Sequence, residues 1–104
     1  MIVSKQIERI KQMEELFDES IEGIKEFEKS LKKYKSLQKK IDVLEDYYFS
    51  KTWRKDYEDD EKGKINSDIK RGVLSQDGIY NMLIENDELL QKLDKFVKKN
   101  KREL

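Results

Sequence analysis

A heptad frame, mostly apolar, holds without a break from Ile10 to Tyr48: Ile10, Met13, Phe17, Ser20, Ile24, Phe27, Leu31, Tyr34, Gln38, Ile41, Glu45 and Tyr48, in alternating steps of three and four. Steps of that kind return to one side of an α-helix every two turns, whereas a strand needs alternation in twos. The spacing therefore predicts one long helix, a spine over residues 1–49. Leu16, Leu37 and Leu44 form a third column beside the seam, which widens the apolar face beyond that of a bare two-stranded coil. Gly23 and Ser30 stand midway in that column, as a packing adjustment or, alternatively, a notch for close approach. With residues ~4–49 helical, the rod is about 68 Å long. A helix of that length needs a cover for its stripe to be stable.

The rest of the chain supplies shorter helices. Ser50 is a good N-cap, and residues 50–63 read as a short acidic helix that Gly63 closes in the left-handed conformation. Residues 64–75 form an ordered connector, in which Ser67 caps a single turn ending at Gly72 and Ser75 caps the last helix. Residues 76–104 hold that helix and a basic tail, with Ile79, Leu83, Asn86, Leu90, Leu93 and Val97 along one line. Asn86 in this line reads as a register-setting residue. No Pro and only four Gly occur in 104 residues, which agrees with an all-α single domain of long helices.

Charge order predicts how these helices meet. Residues 14–22 are acidic and 25–40 basic, and the order reverses later, from Glu58–Glu61 through Glu85 and Glu88 to Lys92–Arg102. The expectation is that the short and C-terminal helices return antiparallel along the spine, as a helical hairpin or three-helix bundle. Exposed ion pairs, each worth ~0–1 kcal/mol, would set direction more than stability.

Composition removes several chemistries. Lys plus Arg and Asp plus Glu both number 23, so no net field draws the whole molecule to nucleic acid or to an anionic membrane. With no Cys and no His, disulfides, thiol nucleophiles, Ser-His triads and ordinary zinc sets fall away. The N-terminus turns charged at Lys5 and no segment approaches the ~20 apolar residues of a membrane span, so a cytoplasmic chain with neither nucleic-acid nor membrane partners is expected. The lysines of 25–40 have acidic partners within the chain, and Phe27 and Tyr34 fall on the seam rather than on a stacking face.

Carboxylates are the remaining candidates. The stretch DYEDDEKGK, 56–64, places Asp56, Asp59 and Asp60 on one face of a helix, where they could hold Mg²⁺ or Ca²⁺. The bland alternative is a solvated helix end, and an EF-hand loop is excluded because no Gly has oxygen ligands at the required positions before it. Glu58 with Glu61, and Glu85 with Glu88, resemble the paired acidic motifs by which all-α nucleotide pyrophosphatases hold Mg²⁺ against a triphosphate. About five such i, i+3 acidic pairs arise by chance in a chain this acidic, and Glu88 stands where that family has Asp. A Mg²⁺-dependent nucleotide phosphohydrolase is thus the rival reading, with no catalytic residue assigned outside it and no cofactor beyond that ion. Tyr47, Tyr48, Phe49, Trp53 and Tyr57 cluster where the spine turns, as an aromatic plug or, in part, a partner anchor.

The stretches YYFSKTWRKDYEDDEKGK and SDIKRGVLSQDGIYNML carry a resemblance to a bacterial family of uncharacterised proteins, domain-of-unknown-function family number 4298. The shared pattern falls on Tyr47, Tyr48, Trp53, Asp56, Tyr57, Glu58, Asp60, Glu61, Gly63, Asp68 and Lys70 to Ser75. The match is strong over about residues 44–83. Phe49 stands where the family tends to have Gly and Asn66 where it tends to have Pro, departures that touch loop shape rather than fold. The resemblance brings no activity, but it implies that the acidic stretch and the Lys70-Arg71 loop form one unit. Arg71, with Lys70 beside it, is expected to fold back on Asp56 or Asp60, and Lys39 and Lys40 to face the same carboxylates. The function this composition favours is a non-enzymatic protein-interaction or structural module with an unidentified protein partner, a homodimer being one form.

Overall fold

The computed structural model describes residues 3–104; Met1 and Ile2, the first residues of the expected spine, lie outside the described residues. Its elements are α1 (Ser4–Tyr48), α2 (Lys51–Glu61), a 3₁₀ turn (Gly72–Leu74) and α3 (Gly78–Asn100). The fold is all-α, a long N-terminal helix followed by a short and then a long one, as the periodicity predicts. The chain divides into two compact units inside α1, Met1–Lys39 and Lys40–Leu104.

In the first unit the described backbone is helix from Ser4 onward. The apolar stripe is present but bare: Ile10, Met13, Leu16, Phe17, Ile24 and Phe27 are each about half exposed or more, and Ile24 reaches 69%. Ser20, a hydroxyl on an apolar seam, donates to the Leu16 carbonyl at 2.7 Å and so satisfies itself within the helix. A Cβ added at Gly23 would meet nothing within 4 Å, so no neighbour within the chain requires a glycine there.

The second unit holds the core. Ile41 from the end of α1, Leu74 from the 3₁₀ turn and Ile79 from α3 are the buried apolar residues among those described, with Ile79 only 4% exposed. The 3₁₀ turn packs against both α2 and α3 and is the piece that joins them. Turn chemistry fixes the ends. The Ser50 hydroxyl accepts from the Trp53 amide at 3.1 Å and starts α2. Gly63, at φ 75°, ends it in the left-handed region, with the Gly63 and Lys64 amides donating back to the Asp60 and Asp59 carbonyls at 3.0 and 2.9 Å.

Two boundaries differ from expectation. The turn at 67–72 does not form under a Ser67 cap; Asn66 makes the bend, its side chain accepting from the Asp68 amide and its carbonyl from the Ile69 amide, while the helical turn falls at Gly72–Leu74. Asn side chains mimic a backbone turn, and that local bond displaces the weaker Ser alternative. Ser75 does act as a cap, accepting from the Gly78 amide at 3.1 Å, but regular helix begins only at Gly78, because Gln76 and Asp77 complete the turn first.

Candidate functional site

The acidic stretch occupies the last turns of α2, and its carboxylates are divided among different partners. Asp56 accepts from the Tyr47 hydroxyl at 2.6 Å. Asp59 faces Lys55 at 3.2 Å and Lys64 at 4.0 Å. Asp60 accepts from the Arg71 guanidinium at 2.6 Å. Arg71 therefore folds back on the acidic helix as expected, and the remaining ammonium groups shown at these carboxylates come from Lys55 and Lys64 in place of Lys39 and Lys40. The reason is reach: lysines within the same helix and its exit are neighbours of Asp59 at no cost in chain ordering.

Tyr47 is the titratable group whose surroundings matter most. Its phenol is pushed up to about 12, first by burial, then by the hydrogen bond to Asp56 and by that carboxylate's negative charge. A phenol held so firmly protonated is a donor that locks the end of α1 to α2; as a proton-transfer group it would be poorly matched to neutral pH.

The aromatic residues form a stacked cluster. Trp53 stacks on Tyr57, with ring centroids 5.1 Å apart and planes 17° from parallel, and Tyr48 meets Trp53 edge-on at 4.9 Å. The Trp53 indole N–H donates to the Val73 carbonyl at 2.8 Å, tying α2 to the 3₁₀ turn. Phe49 packs edge-on against Tyr48 yet stays 72% exposed, the one ring of the five that points largely outward. So Tyr47, Tyr48, Trp53, Tyr57 and Arg71 are brought together into a single hydrogen-bonded and stacked corner.

Lys70 goes elsewhere. With Leu44, Gly72, Val73, Gly78, Ile79 and Met82 it lines an open groove of about 370 Å³. The groove depends on Gly78: a Cβ there would lie 2.5 Å from the Ser75 hydroxyl and 2.7 Å from the Gly72 carbonyl oxygen. Gly78 is not among the residues that the sequence pattern singles out, and Val73 stands there only as part of the family string, with no role for its carbonyl. The signal that could have found them is the pair Gly72 and Gly78 flanking a capping serine, which marks close backbone approach.

Glu58, Glu61, Glu85 and Glu88 all lie exposed, the first pair on α2 and the second on α3. Among the described residues no three Asp, Glu, His or Cys side chains converge in an arrangement able to hold a metal ion. Also among the described residues, no helix is long and apolar enough to cross a membrane.

Residues 10–96 match the profile of a family described as a domain of unknown function (DUF4298). No curated protein and no solved structure matches the chain.

Proposed function

The chain belongs to the DUF4298 family, and on that premise we propose that it is a protein-interaction module whose contact surface is the apolar stripe of α1. One observation carries this reading: Ile10, Met13, Phe17, Ile24 and Phe27 lie on a single heptad frame and are each 49–69% exposed. Scattered exposed apolar residues are ordinary, but a continuous stripe of this kind is a docking surface or an aggregation hazard. In the second unit Asp56, Asp59, Asp60, Arg71, Tyr47 and Trp53 all have partners within the unit. It holds the turn in place, and the stripe is left to meet something else.

Capture experiments test this. The wild-type chain and an Ile24→Gln/Phe27→Gln variant, which keeps good helix formers, are used as baits in native cell extract. A protein retained by the wild type and lost with the variant, whether a second copy or a different chain, is the expected result. Identical retention by both baits would end the reading.

A further inference from the structure

We infer that the occupant of the stripe is a second copy of this chain, laid antiparallel so that two α1 helices cross near Ile24. This rests on the reading of the stripe as an interaction surface and names the partner. Three observations converge on it.

The first is charge order. Residues 14–22 carry Glu14, Glu15, Asp18, Glu19 and Glu22 with no cation, whereas residues 25–35 carry Lys25, Lys29, Lys32, Lys33 and Lys35 with Glu26 and Glu28 among them. Two copies in parallel set acid on acid and base on base. Turned antiparallel about a point between the blocks, each copy's acidic block meets the other copy's basic block, so the contact forms twice, once on either side of the axis. Charges of this kind select orientation in paired helices. The formal net charge is zero, so the copies do not repel as whole molecules.

The second is area. Ile7, Ile10, Met13, Leu16, Phe17, Ile21, Ile24 and Phe27, the eight apolar side chains between residues 7 and 27, are 40–69% exposed. Those from Met13 to Phe27 fall within the overlap about Ile24, and they are the surface a second copy would cover.

The third is Gly23. In the middle of a long helix a glycine costs stability relative to alanine, and nothing within 4 Å in the chain itself calls for it. It sits beside Ile24, at the centre of the expected crossing, where a missing side chain allows two helices to approach closely. A symmetric interface places the same residue near its axis in both copies.

Sedimentation and crosslinking decide the matter. The wild-type chain is expected to be dimeric at tens of micromolar concentration, and Ile24→Gln/Phe27→Gln to weaken the dimer at least tenfold. The chain has no cysteine, so single Ile24→Cys and Ile10→Cys variants report orientation through a short bis-maleimide. Antiparallel crossing near Ile24 links the first within a dimer, whereas Ile10 and its copy lie about 40 Å apart along the axis and do not link.

Charge swaps give an independent check. Glu15→Lys/Glu19→Lys/Glu22→Lys and Lys29→Glu/Lys32→Glu/Lys33→Glu chains should each self-associate at least tenfold more weakly than wild type, and mixing the two should restore the dimer. A monomeric wild type, a link through Ile10, or a dimer indifferent to the stripe substitutions each overturns the inference. A monomer that still captures a different protein through the stripe overturns the second copy and leaves the proposed function standing. A monomer with no stripe-dependent capture removes both.

Discussion

Residues 3–39 and residues 40–104 are both rich in helix formers and both heavily charged, yet they hold their structure differently. The first stretch is helix from Ser4 onward, with the apolar residues of its frame from Ile10 to Phe27 open to solvent. The second closes on itself: Ile41, Leu74 and Ile79 leave water, Trp53 reaches Val73, and Arg71 reaches Asp60. Periodicity is the same signal in both. What separates them is a turn sequence that brings sequence-distant apolar residues together, because propensity and i, i+4 pairs give only a few tenths of a kcal/mol each while burying one large side chain contributes roughly 1.5–3 kcal/mol. The first unit thus carries the stripe of a packed helix with its apolar residues from Ile10 to Phe27 exposed, and the proposed function rests on that exposure.

Substitutions sharpen this contrast in decreasing order of effect. Ile79→Ala should cost about 2–4 kcal/mol, read as the denaturation midpoint of the second unit, since it opens a cavity in a core with few members. A loss under ~1 kcal/mol would show that the core residue is not the anchor. Gly78→Ala comes next, at about 1–3 kcal/mol, because its Cβ meets the Gly72 carbonyl, a backbone atom that cannot swing aside. Thermal unfolding measures it, and a neutral result would mean that the 3₁₀ turn shifts freely.

Tyr47→Phe should remove about 1 kcal/mol at neutral pH, the size of a half-exposed hydrogen bond to a charged acceptor. Its pH dependence carries a definite sign. The folded phenol stands above its ordinary value of 10.0, so the protonated form is favoured by folding. The stabilisation is complete below about pH 10 and is lost as pH rises through about 12. Chemical denaturation of both chains from about pH 8 to about pH 12 should show their difference shrinking across that window; a constant gap would show that the Tyr47–Asp56 bond is not its origin. Smallest of all, Ile24→Gln should change the unfolding of the isolated monomer, held at low concentration, by less than ~0.5 kcal/mol, because the side chain is already 69% exposed. A large effect on the monomer would mean that the stripe is covered within the chain after all.

Much of the corner was legible as sequence because it rests on residue types with short-range duties. Ser50 as a cap, Gly63 at positive φ, and Arg71 returning to Asp60 follow from caps, turns and opposite charges close along the chain. The bond from Tyr47 to Asp56 was not legible: both residues stand out in the sequence, but pairing them requires knowing that the turn at Phe49–Ser50 folds α2 back toward the end of α1. The same holds for Gly78, whose need for a missing Cβ depends on where the Gly72 carbonyl lands.

The sequence by itself determined the number and kind of helices, because 3.6-residue periodicity and capping residues act within a few positions of one another. It also determined the family, through a pattern spread along residues 10–96. Only the tertiary structure decided which stripe is covered. An apolar face written in the sequence states that burial is available, and whether burial happens depends on geometry between elements. Ile41 and Ile79 find that geometry; Phe17, Ile24 and Phe27 do not.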